Sequence, residues 1–340
     1  MNHKKILLED IERLRELYSS FFDSLNGKNI LVTGATGLIG KTLVLSILQN
    51  TKSANVIAHV RNKEKAEAIF FNVPYRERLS FLVSDIKEKI QKNEPIHYII
   101  HAASETSSKV FVENPVETIE TAITGTRNVL EFAREKNVES LVYLSTMEVY
   151  GTPATDDKIL ETQGTTEIRS SYPESKRLCE SLCKAYASEY SVPVKVIRLT
   201  QTFGPGVSYH DGRVFAEFAR CVIEKRNIVL KTKGETKRNY LYTADAVSAI
   251  LAVLLKGSVG EAYNAANEET YCSIYEMAHL VAEECAKNEI QVVVQEQDIS
   301  KFGYAPVLKM NLDVSKLKQL GWIANYTLKE MFVRMIAEME

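Results

Sequence analysis

Short, nearly uninterrupted apolar runs recur at Asn29–Thr33, Asn55–Val60, Leu79–Val83, Tyr98–His101, Ser140–Ser145 and Val194–Leu199. Between them, apolar residues return every three or four positions over Leu38–Gln49, Lys63–Phe70, Pro115–Lys136 and Pro173–Tyr190. The first pattern is that of strands covered on both faces, the second that of helices with one buried stripe. Their alternation predicts βαβ units, and so an α/β fold with a doubly wound parallel sheet over residues 27–200.

Two regions depart from this rhythm. Ile6, Leu7, Ile11, Leu14, Leu17, Tyr18, Phe21 and Leu25 fall at helical spacing with charges between them. They predict one amphipathic helix over 5–25 within an N-terminal segment, 1–26, that stops at Asn26-Gly27. Its stripe must lie on the main body or on another subunit. After Arg198 the pattern fades into QTFGPGVSYHDGR. Helical spacing returns near Val214–Lys225, Ala244–Leu255, Ile274–Lys287 and Leu328–Glu340, with a strand at Tyr240–Tyr242. Residues 201–340 are expected to form a smaller lobe, with some segments returning to the sheet.

Composition narrows the chemistry. The 340 residues are 45% hydrophobic and 25% charged, ordinary for a globular protein. Lys plus Arg (42) nearly cancels Asp plus Glu (44), so no global field draws nucleic acid or an anionic membrane. Any phosphate must be held locally. Five cysteines, Cys179, Cys183, Cys221, Cys272 and Cys285, are an odd number without close pairing, which points to thiols and to no metal site. No apolar stretch suits a signal peptide or a membrane span, so a cytoplasmic location is expected.

The strand Asn29–Thr33 runs into Gly34-Ala35-Thr36-Gly37-Leu38-Ile39-Gly40 and then a helix. Glycines suit a tight turn and a backbone that approaches a pyrophosphate, and the helix start offers free N–H groups and a positive dipole end. Gly40-Lys41-Thr42 imitates the end of a triphosphate loop, but that motif needs glycine where Ala35 stands. The loop therefore predicts a Rossmann domain holding a dinucleotide. No acid closes the second strand to hold a ribose 2′-hydroxyl; Arg61 there suits a 2′-phosphate, favouring NADP and leaving NAD open. Asp85, past the third strand, is placed to accept from an adenine amino group.

Tyr172 and Lys176 stand four residues apart at a helix start, which puts both side chains on one face. A phenol titrates near ~10, too high for a base at neutral pH, but a neighbouring ammonium and a cationic nicotinamide favour the phenolate. Thr146, at a strand end, can donate to the reacting oxygen.

These residues belong to a longer series: TGATGLIG at 33–40, HAAS at 101–104, GTRNVLE at 125–131, STMEVYG at 145–151 and YPESK at 172–176. It continues with RLTQTFGPG at 198–206, KRNYLY at 237–242 with Asp245, and LGW at 320–322. From Lys28 onward the chain resembles the extended short-chain dehydrogenase/reductase family, in its NAD(P)-dependent nucleotide-sugar epimerase/dehydratase branch. The resemblance adds Thr36, Leu38, Ile39, Ile86, Ala102, Ala103 and Ser104, with Tyr172 and Lys176, to the cofactor site. It implies that Thr146, Tyr172 and Lys176 are the catalytic group, Tyr172 taking the proton of a sugar hydroxyl. It also implies that Thr146, Met147, Glu148, Gln201, Arg213 and Arg238 contact a nucleotide-diphosphate sugar, with Arg238 on the diphosphate. A homodimer built through Pro115–Lys136 and Pro173–Tyr190 is a further expectation.

Departures from the family pattern sharpen this. Family dehydratases carry Asp and then Glu after the Thr, whereas this chain has Met147 and Glu148. A thioether delivers no proton, which disfavours 4,6-dehydration. Glu148 can still serve catalysis at C5. Decarboxylating relatives keep the Glu but carry Ser beside it, which Met147 does not match. Ala122 and Gln201 stand where the family often has Asn. The resulting expectation is a C4 epimerase with bound NAD(P). The alternatives are an NADPH-dependent 4-keto-sugar reductase, a C5 epimerase or decarboxylase using Glu148, and a non-enzymatic cofactor-binding scaffold.

Overall fold

The computed structural model describes residues 5–151, 158–159, 168–297 and 307–340. In chain order its elements are α1 (Lys5–Leu17), α2 (Ser19–Ser24), β1 (Asn29–Thr33), α3 (Leu38–Asn50), β2 (Asn55–Val60), α4 (Lys63–Phe70), β3 (Leu79–Val83) and β4 (Tyr98–His101). Next come α5 (Ser108–Glu113), α6 (Pro115–Lys136), β5 (Ser140–Thr146), β6 (Lys158–Ile159), α7 (Ser171–Tyr190), β7 (Val194–Leu199), β8 (Gln201–Phe203), α8 (Val214–Ile223) and β9 (Ile228–Leu230). The remainder is β10 (Lys237–Tyr242), α9 (Thr243–Lys256), β11 (Ala262–Ala265), β12 (Asn267–Ser273), α10 (Ile274–Leu280), β13 (Val292–Val294), β14 (Lys309–Leu312), α11 (Ser315–Lys318) and α12 (Leu328–Met339).

Seven strands form the central sheet in the order β11-β7-β5-β4-β1-β2-β3, each neighbouring pair parallel. The order reverses between β1 and β4, so the loops leaving those strands turn to opposite sides. A crevice opens at their carboxyl ends, where doubly wound sheets bind ligands. The apolar runs of the sequence sit at these strands because both faces of the sheet are covered by helices.

β11 and α9, from beyond residue 200, lie on this sheet. β11 is its edge strand beside β7. α9 is buried almost from end to end, packed on β5, β7 and α3, which explains a helix apolar on all sides. β8, β10, β12 and β14, with β6, make a second sheet. Within it Tyr240 pairs with Gln201.

The single helix predicted over 5–25 is instead two. Tyr18 leaves helical geometry (φ −132°, ψ 38°), and its hydroxyl donates to the Ile323 carbonyl at 3.0 Å. The bend lets both pieces lay apolar faces on the body, α1 against α3, α9 and α12, and α2 against α3 and α9. The helix predicted over Ile274–Lys287 also stops early, at Leu280, and a wider helical turn follows over Val281–Cys285. Lys287 and Asn288 then take positive φ and end it. No helix among the described residues is long and apolar enough to cross a membrane.

Candidate active site

The crevice continues into a cleft of about 680 Å³. Its dinucleotide end is shaped by backbone contact. Gly34 has φ +66°, and a Cβ there would meet the Ala102 carbonyl oxygen at 2.7 Å; a Cβ on Gly40 would meet the Gly34 oxygen at 2.2 Å. Only hydrogen fits at either place. β1 and β4 are in register with Thr33 beside His101, and the polar groups of this pair pin the loop after β4. The Thr33 hydroxyl accepts from the Ala103 N–H at 3.0 Å and lies 2.7 Å from His101 Nδ1. His101 Nε2 lies 3.2 Å from the Thr126 hydroxyl. Burial, with the nearby charges of Lys176 and His59, pushes His101 down to about 3, so this pin is neutral.

α3 begins at Gly37 with no side-chain cap, which leaves its first N–H groups for a ligand. Close-packed glycines, an uncapped helix start and apolar walls fit a dinucleotide. Gly34, Thr36, Gly37, Leu38, Ile39, Gly40, Arg61, Ile86, Ala102, Ala103 and Ser104 all line the cleft. Asp85 does not: its carboxylate accepts from the Lys87 N–H at 2.9 Å, closing its own turn.

At the other end, β5 delivers Thr146 and the first turns of α7 deliver Tyr172 and Lys176 into one wall. Thr146 lies beside the Tyr172 phenol and favours its ionised form, and Lys176 Nζ donates to the Leu144 carbonyl at 2.8 Å. Burial raises the Tyr172 phenol above its ordinary value; Glu148 and Glu105 add to this, while the Thr146 hydrogen bond and the Arg169 charge oppose it. Burial also pushes Lys176 down to about 8. Beneath them Arg198 binds both oxygens of Glu180, at 3.0 and 2.6 Å, and Glu180 accepts from the Ser145 hydroxyl at 2.5 Å. This network ties β5, β7 and α7 together directly behind Thr146 and Lys176.

The substrate candidates share the same cleft: Met147, Glu148, Gln201, Arg213 and Arg238 all line it. Met147 is buried, its sulfur 3.1 Å from the Thr200 hydroxyl, which donates to the Asn239 carbonyl at 2.6 Å. Arg213 is held by the Asp211 carboxylate at 2.9 and 2.6 Å. Glu148 accepts from Arg169 Nη1 at 2.9 Å. Arg169 and Phe111 both line the cleft and neither was among the sequence candidates. The three-residue offset of Arg169 from Tyr172 was the available signal; Phe111 comes from α5, a helix too short for periodicity to reveal.

Comparison with known proteins agrees with this geometry. The sequence model of the NAD dependent epimerase/dehydratase family matches residues 30–266. UDP-glucuronic acid decarboxylase 1 of Xenopus tropicalis is 28% identical over 330 residues, covering 93% of this chain and 74% of the relative. UDP-N-acetyl-alpha-D-glucosaminuronate decarboxylase of Bacillus cytotoxicus is 28% identical over 306 residues, covering 86% and 91%. Among solved structures, UDP-glucose 4-epimerase of Thermus thermophilus in complex with NAD superposes with a TM-score of 0.74 at 25% identity, covering 92% and 98% of the two chains. The family match spans the whole cleft and most of the central sheet, and the chain belongs to the NAD dependent epimerase/dehydratase family.

Proposed function

We propose that this enzyme converts a nucleotide-linked hexuronic acid into the matching pentose through a ketone at C4. A nicotinamide dinucleotide held at the glycine loop supplies the hydride acceptor and donor. Tyr172 takes the proton of the C4 hydroxyl and later returns it. Thr146 holds the phenol, and the Lys176 ammonium favours its ionised form. With a ketone at C4 the carboxylate carbon is β to a carbonyl: the C5–C6 bond breaks, CO2 leaves, and its electron pair passes into the C4 carbonyl. C5 then takes a proton, for which Glu148 is the candidate relay.

The observation that carries this reading is Glu148, kept in the cleft wall and paired with Arg169. Plain C4 epimerisation uses neither residue, and 4,6-dehydration lacks its acid at Met147. The UDP-glucuronic acid decarboxylases among the relatives support it. The test is incubation with UDP-glucuronic acid in deuterated buffer. CO2 release and a pentose deuterated at C5 are expected, with no net change in nicotinamide absorbance. No CO2 would overturn the reading.

A second reading is C4 epimerisation, favoured because Thr146, Tyr172 and Lys176 suffice for it; formation of the 4-epimer of a UDP-hexose without CO2 would establish it. Arg61, exposed at the cleft edge, supports NADP as cofactor, and with it net reduction of a 4-keto sugar. Mass spectrometry of the copurified dinucleotide decides between NADP and NAD. The outward apolar residues Val116, Ile119 and Leu178 of α6 and α7 support a homodimer through those helices.

A further inference from the structure

We infer that Arg169 is the residue that recognises the sugar carboxylate, so that the cleft selects a uronic acid over a neutral hexose. The inference rests on the proposed reading of the cleft as a nucleotide-sugar site with its chemistry at Tyr172.

Arg169 lies in the short turn Ile168–Ser170 that leads directly into α7, three residues ahead of Tyr172. It and Glu148 are half-buried in the cleft wall, with side chains 23% and 24% exposed. Three arginines besides Arg61 line the cleft, and their partners differ. Arg213 is satisfied within the protein by Asp211. Arg169 and Arg238 each keep a buried Nε with no acceptor among the described residues. A buried donor of a charged group is costly to leave unpaired, so two such donors in one cleft point to a ligand that brings two acceptors.

Their places in the fold separate the two acceptors. Arg238 is on β10, in the second sheet, two residues before the Tyr240 that pairs with Gln201; the family resemblance assigns it the diphosphate. Arg169 is in the turn before α7, paired with Glu148, and its charge acts on Tyr172. A nucleotide-linked neutral hexose carries one anionic group, the diphosphate, whereas a uronic acid carries a second on the sugar. A carboxylate suits what Arg169 has left: with Nη1 on Glu148, the remaining donors of a planar fork match a planar two-oxygen acceptor. The charges of Glu148 and Glu105 also act on Tyr172, and without Arg169 they would repel a carboxylate.

The test is calorimetric titration of the NAD-saturated enzyme with UDP-glucuronic acid, UDP-glucose and UDP, in wild type, Arg169→Gln and Arg169→Lys. Wild type is expected to prefer UDP-glucuronic acid to UDP-glucose by about ten-fold, the scale of one charge-assisted pair. Arg169→Gln should erase that ratio while UDP affinity stays within about two-fold, and Arg169→Lys should give an intermediate ratio. If Arg169→Gln does not fold, the lysine variant decides. A wild-type ratio near one, an unchanged ratio in the variants, or equal weakening of all three ligands would overturn the assignment. Uronate preference that depends on Arg169 without CO2 release would support the assignment while removing the proposed reaction.

Discussion

The ring of Tyr172 lies flat on the ring of Phe111, with centroids 4.2 Å apart and planes inclined by 5°. The Ser171 hydroxyl donates to the Phe111 carbonyl at 3.0 Å, so α5 and the start of α7 hold each other. One face of the phenol is thereby fixed. Phe111→Leu keeps an apolar residue but removes the stack. Because such ring pairs contribute about 0.5–1.5 kcal/mol beyond burial, kcat should fall about two- to ten-fold with KM little changed. Steady-state kinetics with intact thermal stability checks this. A lowered Tm of the same proportion would instead mean that Phe111 only fills space.

Tyr172→Phe retains that stack and loses the hydroxyl. Positioned proton transfer contributes about 10²- to 10⁴-fold, so kcat should fall by that factor while the dinucleotide stays bound and Tm holds. Single-turnover measurement of the proposed 4-keto intermediate would show the loss at the first step.

Gly40→Ala tests the cradle. Its Cβ would stand 2.2 Å from the Gly34 oxygen and 2.9 Å from the Ala35 Cα, both backbone atoms that cannot turn aside. The variant should lose about 1–3 kcal/mol of stability and elute without dinucleotide. Gly212→Ala, where a Cβ meets nothing within 4 Å, should keep both, as judged by Tm and the absorbance ratio at 260 and 280 nm.

Asp245 predicts a pH dependence of stability. It is buried in the first turn of α9 and accepts from the Asn325 N–H at 3.0 Å and side-chain amide at 3.1 Å. Burial still pushes it up to about 6 from its ordinary 3.8. Between those values the folded chain keeps a proton that the unfolded chain has released, so stability falls as pH rises through this window. Asp245→Asn should flatten that slope between about pH 4 and 6. Urea midpoints measured across the window read it directly, and identical slopes in both proteins would count against the assignment.

Most of the fold was legible in the sequence. The strands β1 to β5 and β7 stand within a residue of the apolar runs, because a doubly covered strand can hold little else. Tyr172 and Lys176 stand at an offset that any helix converts into one face, and both line the cleft. Less was legible where partners come from far along the chain. The Tyr18 hydroxyl, at the bend between α1 and α2, meets the Ile323 carbonyl, a contact that leaves the hydrophobic pattern unaltered.

The sequence by itself determined the parallel sheet and the glycine cradle, since each follows from local period or fixed spacing, while the Thr146, Tyr172 and Lys176 group rested on the family resemblance. Only the tertiary structure decided which distant groups meet them. Phe111 reaches Tyr172 across 61 positions and Arg169 reaches Glu148 across 21, contacts that require the crossing of α5, β5 and α7 at one end of the sheet. The tertiary structure also laid the N-terminal helix on the body: Asp10, 2% exposed, is bound there by Arg334 at 2.9 Å and by the hydroxyl of Tyr242 at 2.5 Å. Helical period shows that a face must be covered; the polar partners contributed by β10 and α12 decide what covers it.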